Sequence, residues 1–302
     1  MSVSLCIATY RRPDRLGLLL YDLTRQSCLP DEVIVVDNDA DASARVVVEN
    51  RIALGTPFAI RYDIQPQKNI SLTRNRTVEL AQHEWVAFID DDERAPELWL
   101  EQLVNAAKLF SAHGVLGPVI PVVPANAPLW IRRGQFYDFP RLPTGSIVPP
   151  NRLRFGNVLL HRSWLHRLEG PFDPAYGLTG GEDGDMLSRL AQQGARIVWC
   201  DEAIVHEPVE PVRLTLRWLL RRALSGGQDF ARHTLNERYG NLSTWDRTRF
   251  FLRATVQAFA ATIMTVVSWP WGRHRATYWL IKVAANLGKL SALSNWQYRE
   301  YG

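Results

Sequence analysis

Three cysteines in 302 residues, Cys6, Cys28 and Cys200, are too few and too scattered for a disulfide framework or a zinc site. Two of them lie in apolar strand-like runs and read as reduced, buried thiols in a cytosolic setting. No G-x-G-x-x-G loop follows the first strand-like run, and no G-x-x-x-x-G-K-[ST] is found, which excludes nucleotide sites of those two kinds. Internal repeats and low-complexity tracts are missing too. The first apolar run, Val3–Ala8, is too short for a signal peptide and leads straight into Thr9-Tyr10-Arg11-Arg12, so no leader is expected. Ala254–Trp271 carries no charge, but three Thr, a Ser and a Gln dilute it. Its length is marginal for a span, which needs about 20 predominantly apolar residues.

What the chain does have is the composition of a globular protein, 46% hydrophobic and 22% charged. A net charge of +4 hides an asymmetry. From Pro211 onward there are 14 Arg and Lys against 4 Asp and Glu; before it there are 21 against 27. The acidic part reads as a catalytic body, 1–210, and the basic, Trp-rich part, 211–302, as a helical anchoring region.

The body alternates strand and helix patterns. Strands are expected at Val3–Ala8, Glu32–Val36, Phe58–Ile64, Trp85–Ile89, Val115–Val123, Arg154–His161 and Ala195–Cys200. Helices are expected at Asp14–Arg25, Ala42–Leu54, Ser71–Gln82, Pro96–Ala112 and Glu182–Gln193. This alternation predicts an α/β fold with a mixed, mostly parallel sheet covered by helices on both faces. Pro124–Pro150 loses periodicity and reads as a long functional or disordered loop. After Pro211 the pattern is helical. Ala254–Trp271 reads as an in-plane or re-entrant membrane helix, a true span, or a helix buried against the body. Trp269, Trp271, Trp279 and Trp296, with nearby Arg and Lys, suit an interfacial belt.

The most informative stretch is Trp85-Val86-Ala87-Phe88-Ile89-Asp90-Asp91-Asp92-Glu93. An unbroken apolar run is a strand buried on both faces. Carboxylates at its end stand at the carboxyl edge of a sheet, where open α/β folds bind ligands. Four adjacent acids either hold a divalent cation, with hard oxygen donors suiting Mg²⁺ or Mn²⁺, or cap the following helix. Polar groups also end two other strands, at Thr9-Tyr10-Arg11-Arg12 and Asp37-Asn38-Asp39. A nucleotide fits such a crevice: Asp37 would accept from a uracil imide or a ribose hydroxyl, Asp90 from the ribose, and Asp92 would bind a metal bridging the diphosphate. Thr179-Gly180-Gly181-Glu182-Asp183 pairs backbone freedom with two acids at a helix start, giving either a general base or a helix cap. His206, at a strand end, is either structural or a further metal ligand.

These residues resemble the family 2 glycosyltransferases of the GT-A fold, particularly bacterial exopolysaccharide-type enzymes. Ser4–Arg12 and Glu32–Asn38 resemble the family's first two strands and their loops. Lys68-Asn69-Ile70 through Arg74-Asn75 resembles the segment before the metal strand, and Asp90-x-Asp92 the D-x-D signature. Gly180–Asp185 with Arg189 and Gly194 resembles the acidic-pair helix, and His206 the trailing histidine. The resemblance spans roughly the first 210 residues in the right order.

The resemblance implies an inverting, metal-dependent transfer of one sugar from a nucleotide-diphosphate sugar, with UDP-hexose preferred. Asp183 would be the base and Glu182 would orient acceptor or sugar. Asp92 and His206 would hold Mn²⁺ or Mg²⁺. Thr9, Tyr10, Arg11, Asp37, Asn69, Arg74, Asp90, Asp91, Gly180, Gly181, Arg217 and Trp218 would contact substrate. Processive members carry Gln-x-x-Arg-Trp; here Leu214 replaces the Gln before Arg217-Trp218, which favours single-sugar addition. The expected partners are a nucleotide-sugar donor, a glycan or lipid-linked glycan acceptor and an anionic membrane surface, with no nucleic acid. The expected location is the cytoplasmic face of the inner membrane, as a peripheral or monotopic protein. Two other readings are a polyprenyl-phosphate sugar synthase, which needs no strong base, and a non-catalytic nucleotide-sugar binding module.

Overall fold

The computed structural model describes residues 1–294 and 298, so Trp296 lies outside the described residues. The order of elements is β1 (Val3–Thr9), α1 (Pro13–Leu23), β2 (Glu32–Asp37), α2 (Arg45–Ala53), β3 (Ala59–Ile64), α3 (Ile70–Leu80), β4 (Trp85–Ile89) and α4 (Trp99–Leu109). Then follow β5 (Gly114–Leu116), β6 (Val119–Val122), α5 (Leu129–Gly134), β7 (Asn157–His161), α6 (Arg162–Leu165), α7 (Glu182–Gln192), β8 (Ile197–Trp199) and β9 (Val205–Pro208). Three long helices close the chain: α8 (Leu216–Leu235), α9 (Thr244–Ser268) and α10 (Arg273–Ser291).

The chain forms two compact units. The first holds 1–120, 140–178 and 182–207; the second holds 121–139, 179–181 and 208 onward. Part of the stretch that lacks periodicity, together with the short Thr179–Gly181 turn, thus belongs with the C-terminal helices.

The first unit is built on a seven-stranded sheet in the order β3-β2-β1-β4-β7-β5-β8. β1 pairs in parallel with β2, matching Thr9 to Asp37, and with β4 on its other side. β7 runs antiparallel to β4 and β5, with Ile89 opposite Asn157. The interior strands are largely apolar because helices cover both faces. Every residue of β2 and β4 is buried. Leu16, Leu19, Leu20 and Leu23 recur on α1 at helical spacing and are fully buried. Burying each such side chain contributes about 1.5–3 kcal/mol.

The single strand expected over Val115–Val123 is broken in two. Gly117 sits where a Cβ would strike the Ala203 carbonyl and the Asn157 side chain, and Pro118 cannot donate to a ladder. β5 stays in the main sheet while β6 pairs with β9. Asn157, fully buried, pins this break: its Nδ2 donates to the carbonyls of Pro118 and Ala203, and its Oδ1 accepts from Trp99 Nε1 at 2.8 Å.

In the second unit, Ala127, Ile131, Tyr137, Val209 and Leu219 form a small core. Of α9, only Ala254, Ala261 and Ser268 are buried. The other residues of 254–271 are partly or fully exposed. The exposed residues of α9 include the apolar Leu252, Val256, Phe259, Ile263, Val266 and Val267.

Candidate active site

The order of strands places β1 and β4 side by side at the centre, with the chain running outward on either side. Open α/β sheets bind ligands outside the carboxyl ends of strands at such a switch point. The residues there are Thr9–Arg12 after β1 and Asp90–Glu93 after β4.

The four acids after Ile89 have four different surroundings. Asp91 is buried; its carboxylate accepts from Thr9 Oγ1 at 2.7 Å and Arg12 Nη1 at 3.1 Å, which ties β1 to β4. Burial and the neighbouring Asp92 push its pKa up to about 6 against the pull of Arg12. Asp92 accepts from the same Arg12 Nη1 at 2.9 Å and lies 3.6 Å from Arg15. Glu93 is buried, takes the Asp90 N–H at 3.1 Å, and has its pKa raised well above the usual value by burial, then by Asp90 and Asp92. Asp90 is the open member: 42% of its side chain is accessible while protein surrounds the rest.

Arg74 joins these acids to a second element. Its guanidinium donates to Asp90 Oδ1 at 3.0 Å and pairs closely with Glu182, the first residue of α7 and only 3% exposed. The ring of Phe155, 4.3 Å away, backs the guanidinium plane. Asp183 follows Glu182, half-exposed, with one oxygen accepting from the Gly184 N–H at 2.6 Å. The pKa of Asp90 is raised by burial, lowered by Arg74, and raised again by Asp92 and Asp183, so all these carboxylates share one field. Gly156, at φ 100°, lets the chain pass close by: a Cβ there would lie 2.7 Å from Glu93 and 3.4 Å from Asp90.

The other expected contacts fall into groups. Tyr10 stands between two cations, with Lys68 Nζ at 5.1 Å and the Arg11 guanidinium at 5.3 Å from its ring centre. Arg11 itself holds Asp39 at 3.0 Å. Asp37 is wholly buried, and its carboxylate holds the turn after β2 by accepting from Asp39 N–H, Ala44 N–H and the Tyr62 hydroxyl. Asn69 caps α3 through the Leu72 N–H and donates to the Pro174 carbonyl. Asp37 and Asn69 thus hold the framework at this strand edge. Buried polar groups need partners, and these two found theirs in backbone groups and, for Asp37, the Tyr62 hydroxyl as well.

His206 lies on β9, whose backbone pairs with Arg94, two residues beyond Asp92. Gly180 and Gly181 have φ of 83° and 91°, and the Gly181 carbonyl meets His233 Nε2 at 2.9 Å. Arg217 and Trp218 open α8 in the second unit, where Trp218 packs 5.9 Å from Tyr137.

Several residues that shape the site were not singled out as contacts from the sequence. Arg12 and Arg15 neutralise the acidic strand end, and their signal was the need for positive charge near four acids. Asn75 clasps the backbone of Phe172 through both its amide atoms.

Among the described residues, no group of three or more His, Cys, Asp and Glu side chains is close enough to hold a metal ion alone. That does not conflict with a nucleotide-bridged cation. Mg²⁺ is usually held by one or two carboxylates plus substrate phosphates. Asp90 and Asp92 are hard oxygen donors that repel one another, and Asp90 is open to a ligand. The donor set fits.

Comparison with known proteins agrees with this architecture. The family described as Glycosyl transferase family 2 matches residues 4–161. Succinoglycan biosynthesis protein ExoM of Rhizobium meliloti is 33% identical over 300 residues, covering 97% of this chain and 93% of that protein. Galactofuranosyltransferase GlfT1 of Mycobacterium tuberculosis is 33% identical over 222 residues, 68% of this chain and 70% of that one. The mannosyltransferase PcManGT from Pyrobaculum calidifontis, solved with GDP-Man and Mn²⁺, superposes with a TM-score of 0.66 at 18% identity, over 96% of this chain and 86% of that chain. Residues 1–349 of TarS from S. aureus, solved with UDP, superpose at 0.54 and 16%, over 99% and 93%. The structural likenesses show the GT-A fold. With the family match over more than half its length and a relative 33% identical along nearly all of it, the chain belongs to glycosyltransferase family 2.

Proposed function

We propose that the protein transfers one sugar from a nucleotide-diphosphate sugar, in the first instance a UDP-hexose, to a hydroxyl of a glycan acceptor, with inversion and with Mn²⁺ or Mg²⁺. The acceptor is a lipid-linked or other glycan of cell-surface polysaccharide synthesis. That part of the reading is supported by the likeness to a succinoglycan biosynthesis protein. The neighbours solved with UDP and with GDP-Man and Mn²⁺ support a nucleotide-sugar donor and a divalent ion.

The observation that carries the proposal is the convergence of Asp90, Asp92 and Asp183 in one field, joined by the Arg74 bridge between Asp90 and Glu182. Asp183 is the half-exposed member at the start of α7. In the proposed step it takes the proton of the acceptor hydroxyl. The acceptor oxygen bonds to the anomeric carbon from the face opposite the diphosphate. The bond from that carbon to the diphosphate oxygen breaks, and its electron pair leaves with the diphosphate. A cation held by Asp92, with Asp90 and His206 near it, would supply positive charge to the departing diphosphate. Glu182, fixed by Arg74, orients the acceptor or sugar. Thr9, Tyr10, Arg11, Asp91, Gly180, Gly181, Arg217 and Trp218 are proposed to line the substrate path.

The test is a panel of UDP-, GDP- and dTDP-sugars, followed by release of free nucleoside diphosphate with Mn²⁺, with Mg²⁺ and with EDTA. Metal-dependent release from at least one donor is expected. Binding of donor with no turnover or slow hydrolysis under any condition would favour a non-catalytic binding module instead.

A further inference from the structure

The surface of α9 is inverted for a protein in water. Ala254, Ala261 and Ser268, seven residues apart, are its buried seam. Leu252, Val256, Phe259, Ile263, Val266 and Val267 recur at helical spacing on the outside, and all are exposed, Phe259 at 70% and Val266 at 72%. Trp269 and Trp271 follow, also exposed. No charged residue lies between Arg253 and Arg273. From Thr244 to Ser294 there are seven basic residues and one acidic, Asp246. The basic residues cluster at the two ends, Arg247, Arg249 and Arg253 at one and Arg273 and Arg275 at the other.

An open groove of about 480 Å³ lies at the second end. Arg133 and Arg275 line it beside polar Ser268, His274 and Tyr278, with Met264, Trp271 and Trp279 among its apolar residues. Cationic donors beside aromatic rings suit a phosphate that carries an acyl chain.

We infer that α9 lies in the plane of an anionic phospholipid bilayer, with its outer stripe at the acyl boundary and a lipid phosphate in the Arg133–Arg275 groove. The helix is apolar and long enough to cross a membrane, 28 residues over Thr244–Trp271. Its neighbour decides against crossing. α10 doubles back along α9 and carries Lys282 at its midpoint. A span would drag that lysine to the middle of the bilayer, where charge is strongly disfavoured. Lying flat keeps Lys282 and the arginines of α8 in water and uses both basic ends at once.

Membrane docking stands on the second unit alone and is read without donor or acceptor, so its failure is separate from that of the transferase reading. The full chain is floated with vesicles of equimolar phosphatidylcholine and phosphatidylglycerol, and with phosphatidylcholine alone. The intact protein should float with the anionic vesicles. Phe259→Glu with Val266→Glu, both at exposed positions, should cut the bound fraction by about tenfold or more. Arg133→Gln with Arg275→Gln should weaken binding to anionic vesicles by about fivefold per arginine and leave binding to neutral ones unchanged. In a Cys28→Ser background, Arg249→Cys and Arg275→Cys should both react with an impermeant maleimide added outside the vesicles. Labelling at only one end would show a span and overturn the in-plane placement. Equal flotation of all variants would overturn the proposal, as would a dimer in sedimentation that hides this face and binds no vesicles.

Discussion

Arg74 donates to Asp90 at 3.0 Å with one arm of a guanidinium whose other arm holds Glu182, so the strand carrying the acidic cluster and the helix carrying the second acidic pair share one counter-charge. Glu182 is nearly inaccessible, so its charge depends on that partner. A surface pair would be worth at most about 1 kcal/mol. Removing one member of a buried pair costs about 3–5 kcal/mol. Arg74→Ala is expected in the second range, read as a lower urea midpoint, whereas Glu182→Gln should cost much less because Arg74 keeps Asp90 as its counter-charge and the amide needs none.

Asp183→Asn should keep the fold and donor binding and lower transfer to a hydroxyl acceptor by about 10²–10⁴-fold, the usual worth of a general base. Calorimetry with the nucleotide and turnover on the same sample check it. Near-normal turnover with a polyprenyl phosphate would point to that acceptor instead, because a phosphate is already ionised.

Asp92→Ala should remove the Mn²⁺-dependent part of UDP affinity. The expected loss is at least the roughly 10–100-fold that follows removal of even an outer-shell partner of a metal. Unchanged affinity with Mn²⁺ would take Asp92 out of the metal role and leave it as the partner of Arg12 and Arg15.

The segment before β7 is held by acids of a different kind. Arg141 donates to Asp201 at 2.7 Å, and Thr144 donates to Glu202 at 2.5 Å. Burial raises the pKa of Asp201, but hydrogen bonds from Arg141 and Trp199 outweigh it and hold the pKa below 3.8; the Thr144 bond holds Glu202 below 4.5. A depressed carboxylate stabilises above its unfolded value and loses that contribution as pH falls through its folded value. Amide exchange around Thr144–Ser146 should therefore be unchanged from neutral pH down to about 5, once corrected for intrinsic rates. Extra opening should come only below the usual carboxylate range.

Gly156→Ala should be costly for two reasons. A side chain at φ 100° is strained by about 1–3 kcal/mol, and the new methyl would press on Glu93 and Asp90. Loss of stability together with weaker donor binding is the expected pair of effects. A change in neither would show that the loop shifts freely.

Much of this molecule is legible in the chain itself. Unbroken apolar runs located β1, β2 and β4, because a strand covered on both faces has no polar side to display. The Leu16–Leu23 spacing located α1, and the charge imbalance after Pro211 marked the C-terminal helices. Glu182 and Asp183 were visible as an acidic pair at a helix start. Local pattern settled these because each depends on residues within a turn or a strand.

Only the tertiary structure decided who neutralises whom. Arg74 meets Glu182 across 108 residues of sequence, and Arg12 meets Asp92 across 80. Which charges pair depends on which strands lie side by side, and apolar periodicity is blind to that. The same blindness hid which strand runs antiparallel, the break at Gly117, and the capture of the Asp37 carboxylate by backbone N–H groups. The sequence by itself determined where negative charge would gather. The packing of β1 against β4, and the reach of Arg74 from α3 to the start of α7, determined which of those charges are buried in partnership and which, like Asp90 and Asp183, keep part of their surface open. Burial makes an unpaired charge costly, so the buried Asp91 and Glu182 sit beside arginines, while Asp90 shares Arg74 and keeps an accessible face.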